Sequence, residues 1–398
     1  MGLLFSGVIL PVSVAVQLAA LFLFPSDRFT NMDSFEYLAL SRSISTDHQY
    51  SAPSGLNGYQ SFQGESPTVM RQPGYPVLLA VFYWLCGQHL LCIQILQVAF
   101  NCLSLTFLFL TVRGTDEKDN PWVLLFPALY VPWLVLSSMI LAESLFTALL
   151  WASVYLLSGA LRTGKMKFHL LLGLTLGAGV LVKPVGVVMA VLSLACLFAV
   201  NRKMLKVSLT GLTVLLVLMP WALRNMEAVH RLTIFPTTSG YNLWIASRPI
   251  GSEWWDESEE FREATGDWDH YYIDGEACRD FRHTAMGRFR NDGILTVAGR
   301  ALARTVIGWT RFPGTGDLSG WNAEYLFMTA IRITMLVFSA VGFFRLQMKH
   351  RWLLILPAVA LSFALPVTKG LTRYLLPASP GIALLAGQGV LSLIRRRT

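Results

Sequence analysis

Long stretches of this chain carry no charge at all, and that constrains its fold more than any motif does. Residues 1–26, 72–112, 120–142, 144–161, 184–201, 207–223, 352–368 and 374–394 contain no Asp, Glu, Lys or Arg. A bilayer span needs about 20 predominantly apolar residues, and several of these stretches reach that length. Only 14% of the 398 residues are charged, against about 25% in soluble domains. The expectation is an all-α polytopic membrane protein. The first stretch has neither the basic start nor the small-residue cleavage site of a secretory signal peptide, so it is expected to remain as an anchor.

Spans fit near 3–24, 90–112, 121–137, 140–160, 168–182, 184–200, 205–223, 326–345, 351–367 and 374–394. Lys and Arg collect in cytoplasmic loops. With residue 1 on that side, the connections 161–167, 201–206, 345–351 and 395–398 hold many Lys and Arg but no acid, while 113–120 is mixed. Both termini then face the cytoplasm, with about ten transmembrane helices between them. The apolar stretch 76–87 is too short to cross and is expected to form an interfacial helix.

Two long polar segments, 25–75 and 224–325, fall outside on this topology and hold nearly all the Asp and Glu. Three regions are therefore expected. Residues 1–224 carry spans one to seven and the first external loop (25–75), where the catalytic group should lie. Residues 225–325 form a larger, partly helical external loop, and 326–398 hold the last three spans and a basic tail. Within the larger loop, Thr233–Pro249 reads as extended, 251–272 as an acidic, Trp-rich turn region, and 274–310 as helical. Function is expected where the two loops meet the outer membrane surface.

Other classes find little footing. The formal charge of +8 is dispersed over loops rather than gathered on one face, which is weak support for nucleic acid. The five Cys form no CxxC pair, leaving only Cys86 with Cys92 as an open pairing across a short turn. The seven His show no HxH or HExxH spacing, so a metal site has no support, and no Walker loop signals ATP. No cofactor is expected.

Asp33 lies in Asn31-Met-Asp-Ser-Phe-Glu-Tyr37, and on a helix Asp33 and Tyr37 share a face. Asp33-x-x-Glu36 also fits a capping box, and a capping carboxylate at an interface still reaches a substrate. Arg71-Gln-Pro-Gly-Tyr-Pro76 reads as a helix entry that sets Arg71, followed by Tyr75, at the membrane surface. A guanidinium there can fork onto a phosphate. Glu143, the sole charge between Asn120 and Leu161, is either a solvated turn residue or part of a polar site. Lys183 stands alone before Pro184 at another outer turn, where snorkelling is the bland explanation. Arg224 follows in Pro220-Trp-Ala-Leu-Arg-Asn225, and Lys369, Arg373 and Tyr374 in Thr368-Lys-Gly-Leu-Thr-Arg-Tyr374. Arg332 falls about two turns inside the eighth span. Arg71, Lys183, Arg224, Arg332, Lys369 and Arg373 thus crowd the outer interface, against the orientation rule. An anionic lipid phosphate would account for them.

The ordered set D-S-F-E-Y, R-Q-P-G-Y-P, A-E-S-L-F, L-V-K-P, P-W-A-L-R-N, T-S-G-Y-N-L-W and R-Y-L-L-P spans nearly the whole chain. It resembles the GT-C superfamily of polyprenyl-phosphate-sugar-dependent glycosyltransferases, nearest to the protein mannosyltransferase, aminoarabinose transferase and Rgt-like groups. The resemblance implies a GT-C-like fold with juxtamembrane helices in the first external loop and Asp33 as general base. It maps the family's arginine onto Arg71 and its charged turn residues onto Glu143 and Lys183. Two departures stand out: Ser34 occupies a position that is often Glu in relatives, and the large terminal soluble domain of some relatives is not expected. The second weakens any analogy with oligosaccharyltransferases and their divalent metal.

The implied reaction moves a sugar from a polyprenyl-phosphate donor to an acceptor hydroxyl on the external or periplasmic face, with inversion. The acceptor is a glycan, lipid or protein, and the enzyme sits in a bacterial inner or plasma membrane. A lipid-linked glycan ligase or polymerase would share this site logic. A secondary transporter would place charges or broken helices at the midplane and show inverted repeats, which this sequence does not.

Overall fold

The computed structural model describes residues 2–23, 32–51, 68–113, 121–134, 137–201, 203–250, 275–310, 323–346, 351–367 and 372–394. Those residues form helices without a β-sheet, as backbone buried in hydrocarbon must satisfy its own polar groups. In chain order, the helices that position the site are α1 (Phe5–Leu23), α2 (Met32–Asp47), α3 (Gly74–Cys86), α4 (Leu90–Arg113) and α5 (Glu143–Thr163). They continue with α6 (Met166–Val182), α7 (Gly186–Asn201), α8 (Met204–Val229), α9 (Thr238–Ser247), α10 (Gly275–Thr310), α11 (Ala323–Arg345), α12 (Leu356–Ala364) and α13 (Ser379–Ile394).

Among the described residues, five helices are long and apolar enough to cross a membrane: Phe5–Leu23, Leu90–Arg113, Glu143–Thr163, Met204–Ala228 and Arg373–Ile394. Gly74–Cys86, Met166–Val182 and Gly186–Val200 are shorter apolar helices. Two expected spans are broken. Over 121–134 the chain forms short helical pieces (Pro121–Leu124, Leu125–Ala128, Val131–Leu134), since Pro127 and Pro132 lack the N–H a continuous helix needs. Over 351–367 helix α12 is flanked by two 3₁₀ turns. Helix α3 replaces the expected interfacial helix 76–87 almost residue for residue. It buries Tyr75, Leu79, Ala80 and Tyr83 and exposes Val77, Val81, Trp84 and Leu85.

The expectation of an extended Thr233–Pro249 is wrong, because 238–247 is helix α9. Tyr241, Trp244 and Ile245 recur at helical spacing and bury against Cys278, Phe281 and Ala285 of α10. Gly240 makes this packing possible: a Cβ there would collide with the Cys278 backbone. The Trp-rich region 251–272 lies outside the described residues. Cys86 and Cys92 are free thiols.

Two glutamines of α4 organise the irregular turn before α5. Gln97 Nε2 donates to the carbonyls of Ser137 (3.0 Å) and Met139 (2.6 Å), and Gln94 Nε2 donates to Ser138 O (2.8 Å). Gln97 Oε1 accepts from Tyr75 Oη (3.0 Å) and the Leu141 amide (3.3 Å). An unpaired backbone group in such a setting costs about 1–3 kcal/mol. One side chain therefore fixes the approach to Glu143 and ties it to α3. From the other side, Trp151 Nε1 of α5 donates to Pro377 O (3.0 Å), anchoring the 3₁₀ segment Thr372–Ala378 that carries Arg373.

Candidate functional site

The site assembles where five pieces of chain meet: the start of α2, the segment 68–73, the start of α5, the end of α6, and the 3₁₀ segment Thr372–Ala378. Asp33 is the second residue of α2, in the first turn where exposed helix N–H groups favour a carboxylate. Its Oδ1 accepts from Arg71 Nη2 at 2.6 Å and its Oδ2 from Arg373 Nη2. Arg71 Nε donates to Glu36 Oε2, one turn further along α2. Glu143 opens α5, is 2% exposed, and accepts from Lys183 Nζ at 2.7 Å. Arg373 Nε stands 3.8 Å from the same Glu143 oxygen, too far for a hydrogen bond.

These contacts form one chain of alternating charge, Glu36–Arg71–Asp33–Arg373–Glu143–Lys183, with three acids against three cations. Its neutrality explains how six ionised groups share a partly buried site, because a desolvated charge is tolerated only when paired and hydrogen-bonded. It also changes the account of the outer cations. Arg71, Lys183 and Arg373 already have carboxylate partners in the protein, so an incoming anion must compete for them.

Close approach of the chain makes this geometry possible. A Cβ on Gly74 would lie 2.8 Å from Leu181 O. Glycine there lets the Arg71 segment sit against the end of α6, beside Lys183. Lys183 is held by a hydrogen bond from its own amide to Gly179 O (2.9 Å). The aromatic faces complete the walls. Arg71 lies over Tyr37 (5.7 Å to the ring centroid), and Lys183 and Arg373 lie over Tyr374 (5.1 and 5.6 Å).

Burial pushes Lys183 below its usual lysine range, with Glu143 pulling the other way. Burial also acts against the Arg71 cation, yet Glu36 and Asp33 together hold it above the ordinary arginine value. Burial raises the Tyr37 phenol, which therefore stays protonated.

The network lines a cavity of about 420 Å³. Asp33, Tyr37, Arg71, Glu143, Lys183, Arg373 and Tyr374 all face it, so seven residues singled out in the sequence converge here. Val185, Val187, Val188, Leu361, Phe363 and Leu365 give it an apolar wall, and Thr238, Ser239, Asn242 and Arg282 a polar rim from α9 and α10. Gln72 also faces the cavity; its Nε2 donates to Ile234 O (2.7 Å), whereas its buried Oε1 has no hydrogen-bond partner among the described residues. The sequence reading missed Gln72 and the rim. Their signal was the R-Q-P and T-S-G-Y-N motifs, to whose polar residues no role was given.

Of the remaining candidates, the four among the described residues do not line the cavity. Glu36 is buried beneath Arg71, and Tyr75 is spent on Gln97. Arg224 donates to Thr68 O and Tyr50 O (both 2.8 Å) and stacks on Tyr50 and Trp221. Because Tyr50 Oη donates in turn to Arg71 O (3.0 Å), Arg224 braces the backbone that carries Arg71. Arg332, 1% exposed, donates to Trp309 O (2.7 Å) and Gly308 O (3.4 Å) and so caps the C-terminal end of α10. Lys369 lies outside the described residues.

Residues 68–223, which include Arg71, Glu143 and Lys183, match the family model of dolichyl-phosphate-mannose-protein mannosyltransferases. No curated protein matches the sequence. Among solved structures, the archaeal oligosaccharyltransferase AglB from Archaeoglobus fulgidus, in complex with an inhibitory peptide and a dolichol-phosphate, aligns with a TM-score of 0.56 at 14% identity. The alignment covers 98% of this chain and 51% of that one. The Archaeoglobus fulgidus oligosaccharyltransferase tethered to an acceptor peptide gives 0.53 at 13% identity, covering 100% and 51%. ArnT from Cupriavidus metallidurans bound to undecaprenyl phosphate aligns at 14% identity over 95% of this chain and 77% of that one, with a TM-score of 0.43. This chain thus spans about half the length of the oligosaccharyltransferases whose fold it shares. Residues 68–223 thus carry the mannosyltransferase pattern, and the chain is a helical membrane protein that shares the fold of these oligosaccharyltransferases.

Proposed function

We propose that this protein transfers a sugar from a polyprenyl-phosphate donor to an acceptor hydroxyl on the external face of a bacterial inner or plasma membrane. Asp33 is the general base, and the anomeric carbon is inverted. The chain of alternating charges beside a mostly apolar cavity carries this proposal. It joins a carboxylate that is 18% exposed, hence reachable, to three cations within one polar cluster.

A sugar on a lipid phosphate is already activated, so no nucleotide or other cofactor is required. The acceptor oxygen attacks the anomeric carbon as the bond to the phosphate oxygen breaks, and the hydroxyl proton passes to Asp33. Base assistance of this kind contributes about 10²–10⁴-fold. The departing phosphate keeps the bond's electron pair, and Arg71, Lys183 and Arg373 are the groups on hand to stabilise it. Fixed cations do this best where water is excluded. Attack opposite the leaving phosphate inverts the centre. The lipid tail has an apolar surface beside these cations, at Val185, Val188, Leu361 and Phe363. The rim of α9 and α10 offers hydroxyls, an amide and Arg282 to a hydrophilic acceptor. Tyr37 and Tyr374 shape the sugar pocket, while Glu36, Tyr75, Arg224 and Arg332 hold the elements that present it.

The test is reconstitution of the purified protein in nanodiscs with defined polyprenyl-phosphate sugars, alongside mass spectrometry of surface glycans with and without the gene. Loss of one sugar from the glycans, restored by one donor, is the expected outcome. Unchanged glycans and no donor consumption would refute it.

A further inference from the structure

Asp33 has two carboxylate oxygens, and an arginine holds each of them: Arg71 on Oδ1 and Arg373 on Oδ2. A carboxylate gripped by two guanidiniums is stabilised in its charged form and accepts a proton poorly. So arranged, Asp33 is poorly set for the base chemistry proposed above. One of the two arginines has to let go.

The two are not equivalent. Arg71 is fixed from every side: its Nε is bound to Glu36, and its carbonyl accepts from Tyr50, which is stacked on Arg224. Arg373 sits on a short 3₁₀ segment rather than a helix. Its Nε is buried without a hydrogen-bond partner among the described residues, and the nearest acid, Glu143, already accepts from Lys183. A buried guanidinium N–H left unpaired is costly and favours any arrangement that pairs it. Arg373 thus faces the cavity with one bond it can give up and one it has yet to make.

Building on the proposed transferase activity, we propose that Arg373 couples donor binding to release of the base. Paired with Asp33, it neutralises that carboxylate. When a lipid phosphate enters, its guanidinium moves to the phosphate and Asp33 Oδ2 is freed for the acceptor hydroxyl. Donor then binds before the acceptor is activated. The charges also balance through the reaction: Asp33 becomes neutral as it takes the proton, and the negative charge reappears on the leaving phosphate beside the same arginine.

The coupling makes an unusual prediction for a catalytic base. Asp33 competes with the phosphate for Arg373, so removing its charge should tighten phosphate binding. The probe is a sugar-free polyprenyl phosphate in nanodiscs, with the neutral polyprenol as control and folding checked by thermal unfolding. Asp33→Asn should bind it about tenfold more tightly than wild type, the worth of one charged hydrogen bond. Asp33→Ser serves as a second variant should Asn not fold. In an Arg373→Gln background the same change should alter affinity by less than about threefold, and Arg373→Lys should restore part of the gain. Equal tightening in both backgrounds, or none in either Asp33 variant, would overturn the coupling alone. A wild type that did not prefer polyprenyl phosphate to polyprenol would overturn both the coupling and the transferase proposal.

Discussion

Glu143→Gln isolates the buried end of the charge chain. The substitution keeps shape and removes one charge from a side chain that is 2% exposed. Lys183 then loses its 2.7 Å partner, and Arg373 loses the nearest acid other than Asp33. Truncating one member of a fully buried ion pair costs about 3–5 kcal/mol. Lys183 is 13% exposed and burial already draws its pKa down, so it can shed its proton rather than stay charged. That places the cost nearer the worth of a charged hydrogen bond, about 2–3 kcal/mol. In nanodiscs this should lower the apparent unfolding temperature by about 2–4 °C. Adding a polyprenyl phosphate should recover part of the loss, because the lipid anion takes up the orphaned cation. Glu143→Gln with Lys183→Met, which removes both charges, should be more stable than Glu143→Gln alone. A single variant melting with wild type, or a double variant less stable than the single, would refute a coupled buried pair.

Because burial lowers the Lys183 pKa, its cation is lost from the folded protein at a lower pH than from the unfolded chain. Donor affinity should therefore fall early on the alkaline side, and Lys183→Arg should extend that limb upward in a titration of donor KM. Gln97→Leu strands the carbonyls of Ser137 and Met139 together with the Tyr75 hydroxyl. It should cost about 3 kcal/mol or more in unfolding and reduce transfer by loosening Glu143; wild-type values for both would discount the brace. Reporters fused after Lys165, Arg202 and Arg397 should read cytoplasmic, and those near Gln60 and Asp267 external; an external signal at 165 would invert the site.

Much of the site could be read along the chain, because lone charges in apolar surroundings are few and expensive. Glu143 and Lys183 each interrupt a charge-free run and Arg71 borders another, which was enough to mark them, while Asp33 was marked by its place in the first external loop. Their partners could not be read. Lys183 meets Glu143 across 40 positions and Arg373 meets Asp33 across 340, pairings that only the fold creates. The surplus of outer cations therefore looked unpaired in the sequence, although three of them form ion pairs. Arg224 and Arg332 show the same blindness in reverse. A guanidinium that satisfies backbone carbonyls looks no different in sequence from one waiting for a phosphate. Helix α9 hid behind Pro236, Thr237 and Gly240, turn-forming residues whose local preference is overridden by the burial of Tyr241 and Trp244. The span expected over 121–137 failed for the opposite reason: its apolar composition was right, but its prolines divide the helix.

The central claim is that Asp33 is the base of a transfer from a lipid phosphate, and Asp33→Asn tests it most directly. Asn keeps the size of the side chain and serves a helix start about as well as Asp, so a merely structural Asp33 would tolerate the change. The measurement is the transfer rate in nanodiscs at saturating polyprenyl-phosphate sugar, with folding verified by thermal unfolding and Glu36→Gln as a control. The account predicts a fall of about 10²–10⁴-fold for Asp33→Asn, with polyprenyl-phosphate binding no weaker than in wild type. The Glu36→Gln control should lose less. An Asp33→Asn enzyme that turned over within a few-fold of wild type would contradict it and move the base to Glu143 or Glu36.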